Sequence, residues 1–275
     1  MAKPDVLIHL RRTDAVTPAV RVGFALAERL GAWTTGIHVV AIAPAAFATP
    51  EAVALQVHEA DEMVDEAKAR ERWWLEQLAS RGLEGEWQVS QGDTVEVLCH
   101  AARWSDLVVV ERPQLNPDAP TGWGLVSRTV FASTAPIVVV PDSVKTESAG
   151  ARIVVAWNSS REAIRAIRGA LPLLQRAQRV IVLEGDPVEN PFGLRHLPRA
   201  DLRAWLARHD VAAQFRAFKP PSKERGMQLL EAAHADDADL IVMGAWGHSR
   251  ITELVLGGTT RYLFQTSDLP LLVAH

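Results

Sequence analysis

The chain has 275 residues, 48% of them apolar, a formal net charge of −4 and one cysteine, Cys99. This is material for one large domain or two ordinary ones, without the basic footprint of a nucleic-acid binder or a polybasic patch for anionic lipid. A single cysteine excludes an internal disulfide and a cysteine-rich metal site, and no apolar run predicts a signal peptide or a membrane span. The expectation is a cytoplasmic protein.

Val6, Leu7, Ile8 and Leu10 predict a first strand, and Thr17-Pro18 opens a helix with Val22, Ala25, Leu26 and Leu30 at helical spacing. Gly31 ends it, and residues 36–42 (GIHVVAI) form a second strand in which His38 reads as a hydrogen-bonded core residue. One long helix is expected from Pro50 to Ser80, apolar on one face and charged on the other. Trp73 and Trp74 in it are expected to pack on the sheet or at a domain contact. Further strands are predicted over 86–90, 106–110 and 137–140, with helices over 93–103 and 125–133. Pro113, Pro117 and Pro120 mark a loop. Cys99 reads as a small buried side chain.

Residues 142–150 (DSVKTESAG) are small, polar and aperiodic, as in a linker. After them the order restarts: a strand over 152–156 and a helix over 161–175, with Ser159 and Glu162 as its expected capping box. A strand over 180–183 follows, then an irregular loop with Pro187, Pro191 and Pro198. A short helix over 202–208, strands over 212–218 and 240–243, a helix over 224–234 and a last strand over 271–274 complete the chain. The halves repeat: Ser105-Asp106-Leu107-Val108-Val109 matches Ala238-Asp239-Leu240-Ile241-Val242, and Phe131–Pro136 with IVVV matches Phe264–Pro270 with LLVA. Alternating strands and helices predict an α/β fold of two tandem doubly wound domains, 1–142 and 151–275. Each holds about five parallel strands with helices on both faces.

The stretch 239–260 reads DLIVMGAWGHSRITELVLGGTT. A buried-strand run leads to Gly244; two residues separate it from Gly247, and nine more precede Gly257. Glycines between a strand and a helix let backbone N–H groups converge on an anion. The alternative is a loop that keeps its glycines only for its turns. No nucleophile elbow and no Walker-type phosphate loop occurs, and no histidine pair has metal-ligand spacing. His248 either touches a phosphate or faces solvent; Arg250 either neutralises phosphate or pairs with Glu253. Trp246 either covers a ligand or packs on the neighbouring domain.

The Gly244–Gly247–Gly257 spacing, followed by Gly258, Thr259 and Thr260, resembles the nucleotide signature of the universal stress protein family. Two tandem domains of that kind would cover nearly the whole chain, with the motif in the second alone. The resemblance implies the adenine nucleotide α-hydrolase-like, Rossmann-like fold and ATP bound with Mg²⁺ in the second domain. It places Ala156, Trp157, Asn158, Gly185, Met243, Gly244, Gly247, His248, Gly257, Gly258, Thr259 and Thr260 around the nucleotide. Asn158 stands where the family has an aspartate, which removes a charge that helps to hold Mg²⁺. In the first domain Glu111 follows the matching strand where the second has Gly244, unfavourably for a polyphosphate.

The resemblance further implies a stress-response switch or adaptor with an unidentified protein partner, an intrachain pseudo-dimer paired through the last strands, and a possible homodimer. The alternatives are a nucleotide-independent scaffold and a weak nucleotide hydrolase.

Overall fold

A computed structural model describes residues 3–41, 50–112, 124–145, 148–186, 201–221, 223–245 and 258–275. The proline-marked loops at 113–120 and 187–198 lie outside them. The chain divides into two compact units, Met1–Glu147 and Ser148–His275. Within the described residues no helix is long and apolar enough to cross a membrane.

The first unit runs β1 (Asp5–His9), α1 (Pro18–Leu30), β2 (Trp33–Ala41), α2 (Pro50–Lys68), α3 (Glu71–Ala79), β3 (Glu84–Gly92), α4 (Thr94–Ala101), β4 (Leu107–Arg112), α5 (Leu125–Ala132) and β5 (Ile137–Pro141). Its strands are parallel in the order β3-β2-β1-β4-β5. The second unit runs β6 (Arg152–Trp157), α6 (Arg161–Leu174), β7 (Arg179–Glu184), α7 (Leu202–Arg208), β8 (Ala213–Ala217), α8 (Arg225–Ala235), β9 (Leu240–Gly244), α9 (Gly258–Thr266) and β10 (Leu271–Ala274). Its order is β8-β7-β6-β9-β10, again parallel. In each unit the first three strands step one way and the last two the other. Crossovers of constant hand therefore place the helices on both faces. Sheets covered on both sides explain why Leu107–Val110, Ile137–Val140 and Leu240–Val242 are buried without alternation.

Local chemistry sets the helix ends. Thr17 caps α1 by accepting from the Val20 N–H, and Gly31 closes it at φ 63°. The predicted single helix over 50–80 is two. The amide of Arg70 reaches back only to the Ala67 carbonyl, 3.2 Å away, and the Trp87 indole N–H also donates to that carbonyl at 2.8 Å. The break lets α3 drop Trp74 onto β2 at Gly36, where an added Cβ would stand 2.6 Å from the indole. Trp74 is fully buried, with ring centroids 5.2 Å from Phe24 and 5.8 Å from Trp87. Burying about 200 Å² of ring stabilises by roughly 5 kcal/mol. That outweighs the ~1–3 kcal/mol for its indole N–H, which has no partner among the described residues.

The strand predicted over 86–90 is longer, because β3 pairs with β2 along its whole length, Glu84 with Trp33 through Gly92 with Ala41. His38 is tied as expected, its Nδ1 lying 2.8 Å from the Leu10 carbonyl. Cys99 is half-buried with its thiol toward the Thr129 carbonyl, and burial pushes the thiol pKa up.

Candidate functional site

In the second unit strand order reverses between β6 and β9, so a crevice opens past their last residues. Ala156 pairs there with Met243, and Gly244 lies beside Ala274. On the other flank Trp157 pairs with Glu184, and the Gly185 N–H donates to the Trp157 carbonyl at 2.7 Å. Ala156, Trp157, Asn158, Gly185, Met243 and Gly244 thus meet at one end of the sheet.

The turn from β6 into α6 is built from polar side chains. Asn158 accepts through Oδ1 from the Ser160 N–H at 3.2 Å, and Ser159 takes a left-handed conformation at φ 60°. Ser160 caps α6, its hydroxyl accepting from the Ala163 N–H at 3.1 Å. The expected Ser159–Glu162 box is not formed: the left-handed turn at Ser159 delivers the next serine as the cap, Ala163 then stands where the reciprocating side chain would be, and Glu162 is engaged by Arg161 instead. Asn158 is half-buried, and its amide NH₂ has no partner among the described residues. A hydrogen-bond donor therefore stands at the crevice beside the positive end of a fourteen-residue helix.

Gly244 answers a contact within the protein. A Cβ on it would stand 2.6 Å from the Glu162 carbonyl carbon and 2.8 Å from the Glu162 Cβ, so the first turn of α6 packs directly on the end of β9. Glu162 is buried there with Arg161 3.0 Å from its carboxylate. Burial alone raises its pKa, but its own backbone N–H, Arg161 and nearby His275 prevail and hold it below the usual carboxylate range. Nδ1 of His275 lies 3.3 Å from the Ala245 carbonyl, and Arg165 donates to the His275 carbonyl at 2.6 Å. Nothing in the sequence spacing signalled this cluster, because its members come from three separate stretches.

Gly247, His248 and Gly257 lie outside the described residues, as do Trp246, Ser249, Arg250 and Glu253. Gly258, Thr259 and Thr260 form the first turn of α9. Gly258 is exposed, and a Cβ there would meet nothing within 4 Å; Thr259 is half-buried and Thr260 buried. Open space thus lies beside Gly258 in the first turn of this helix, a turn whose backbone N–H groups lack intrahelical acceptors. Among the described residues no group of three or more histidine, cysteine or carboxylate side chains is placed to hold a metal.

The corresponding crevice of the first unit, past β1 and β4, is charged. Glu111 accepts from Arg11 Nη1 at 3.2 Å, and Arg112 beside it is buried. The sequence located the charge at Glu111 but not Arg11 as its partner.

A family model described as the universal stress protein family matches residues 151–275. No curated protein matches the sequence. A universal stress protein from Archaeoglobus fulgidus DSM 4304 is similar in fold over 98% of this chain and 97% of its own, at 15% identity and a TM-score of 0.70. A functionally unknown protein from Pseudomonas aeruginosa PAO1 matches over 99% of this chain and 92% of its own, at 12% identity and a TM-score of 0.61. A universal stress protein solved in complex with cAMP aligns with 51% of this chain and 98% of its own, at 17% identity and a TM-score of 0.36. The first two likenesses establish the doubly wound tandem fold over nearly the whole chain.

Proposed function

By its second unit, residues 151–275, this chain belongs to the universal stress protein family, and from that premise we propose that the unit binds ATP or a related adenine nucleotide at the ends of β6 and β9. One observation supports this most: the Asn158 amide, without a partner among the described residues, and the first turn of α9, with open space beside Gly258, both belong to the end of the sheet where such folds take ligands. Backbone N–H groups at Gly258–Thr260, with the glycines at 244, 247 and 257, receive the polyphosphate, and Asn158 donates to a phosphate or a ribose hydroxyl. The segment at Trp157 and Gly185 flanks the base. Mg²⁺ travels on the phosphates, since an amide at position 158 offers it no charge.

The protein holds nucleotide without turning it over at a useful rate, and the bound and free states act as a switch read by a protein partner. Titration calorimetry with ATP on the full chain tests this. Saturable one-to-one binding in the wild type, lost in both Gly247→Glu and Gly257→Glu with unchanged far-ultraviolet circular dichroism, is expected. No heat with the wild type, or unchanged affinity in either variant, overturns it.

A further inference from the structure

Helices α1 and α3 of the first unit enclose a filled space. Trp74 occupies it, seated on Gly36 and tilted against Phe24. The second unit keeps the framework and changes the filling. Counted from the helix caps Thr17 and Ser160, Ile167 is the counterpart of Phe24. By strand register, Val182 stands where Gly36 does, so a valine blocks the seat that an inserted indole needs. Between α6 and α7 there is instead a half-open cavity of about 270 Å³, lined by Trp157, Ile164, Ile167, Leu202 and Trp205, with Ile164 exposed at its mouth. A dry apolar cavity of roughly 150 Å³ takes a benzene ring, so this one has room for a bicyclic aromatic.

Charge selects the kind of ring. Arg168 and Arg208 both line the cavity, and neither has an ion-pair partner among the described residues. Asp201 also lines it, but its carboxylate is engaged in capping α7 by accepting from the Ala204 N–H at 3.1 Å. Two guanidinium groups against one carboxylate leave an excess positive charge, and beside two indoles and two isoleucines they form a surface for a flat apolar body with one anionic group. We propose that the α6–α7 cavity of the second unit binds a small planar aromatic anion of the aryl carboxylate class, its ring lying between the two helices against Leu202, which holds the place that Trp74 holds in the first unit. The cavity is separate from the nucleotide crevice, touching it through Trp157.

The test is calorimetric titration of the full chain with 1-naphthoate and, as its neutral counterpart, 1-naphthamide. Naphthoate is expected to bind one-to-one, about tenfold or more tightly than the amide. The double variant Arg168→Gln/Arg208→Gln should lose that preference while still binding naphthamide. Ile167→Phe, which puts the first unit's ring into the space, should abolish binding of both. If Ile167→Phe fails to fold, the paired glutamine variant decides alone. Equal binding of acid and amide, a preference that survives the double variant, or no naphthoate binding overturns the assignment. Saturating ATP is expected to leave the naphthoate titration unchanged; displacement would assign the cavity to the nucleotide and refute a separate site. Failure of ATP to bind at all would leave the naphthoate result standing, so the two readings fall separately.

Discussion

Arg11 and Glu111 form a 3.2 Å ion pair across the ends of β1 and β4, at the positions that Asn158 and Gly244 hold in the second unit. The arginine side chain is 44% exposed and the glutamate 11%, so the carboxylate depends on its partner more than the guanidinium does. Its second oxygen, Oε2, is buried without a partner among the described residues. Solvent around Arg11 discounts the Coulombic gain, but removing Arg11 strands a buried charge. Arg11→Ala is expected to lower stability by about 1–2 kcal/mol. Arg12→Ala, which breaks an exposed pair with Asp14, should leave the unfolding midpoint essentially where it is in the wild type. Urea unfolding of the two variants compares them directly, and equal losses would refute the argument.

Gly244 is held to glycine by helix packing, whatever a ligand requires. Gly244→Ala puts a methyl against the backbone of Glu162, which cannot rotate away as a side-chain tip would. Overpacking of that kind costs about 1–3 kcal/mol. Gly258→Ala, with open space before it, should change stability by no more than about 0.5 kcal/mol. A denaturation midpoint for Gly244→Ala equal to that of the wild type would show that α6 is free to move.

His9 makes the first unit sensitive to acid. It is 4% exposed, its Nδ1 has no partner among the described residues, and burial, with His38 and Arg11 adding to it, lowers its pKa from 6.5 to about 4. The unfolded chain takes up the proton first as pH falls. The stabilisation from a neutral His9 is therefore whole above pH 6.5, drains away toward pH 4 and is flat below that. At about 1.4 kcal/mol per unit the full loss is about 3 kcal/mol. Between pH 7 and pH 5 the wild type should lose about 2 kcal/mol more than His9→Leu does. Urea titrations of both proteins at the two pH values read the difference; parallel losses would exonerate His9.

The repeat was legible in the sequence, although its physical cause was not. Asp106 and Asp239 stand out only as shared letters before matching strands, yet each serves the strand beside it. The Asp106 carboxylate accepts from the Asp5 N–H at 2.9 Å, and Asp239 accepts from the Arg152 and Ala151 N–H groups at 2.9 and 3.1 Å. Such pairings join residues roughly ninety or a hundred apart, which no local period encodes. Conversely, Thr17, Gly31 and the buried strands were readable because caps and apolar runs act locally. The break after Lys68 escaped because neither glycine nor proline marks it. The Trp87 indole, arriving from β3, takes the Ala67 carbonyl. The crevice was readable through Met243-Gly244 and Asn158, whereas the Glu162–Arg161–His275 cluster arises only when two stretches more than a hundred residues apart fold together.

At the proposed nucleotide site, Asn158 is expected to set the response to a divalent cation. Its Oδ1 already accepts from the Ser160 N–H, and a carboxylate would accept the same bond while adding negative charge at the start of α6. That charge suits the helix dipole, so Asn158→Asp should leave stability unchanged or raise it by up to about 0.5 kcal/mol. Binding should respond differently. In the wild type, ATP affinity is expected to vary less than about threefold between excess Mg²⁺ and EDTA, because no protein carboxylate at this position rewards the metal. In Asn158→Asp, metal-free ATP meets like charge and weakens, whereas Mg·ATP is retained, opening a gap of about tenfold or more. Calorimetric titrations of both proteins with and without Mg²⁺ measure the two ratios. If the aspartate variant shows no greater magnesium dependence than the wild type, residue 158 does not face the phosphates.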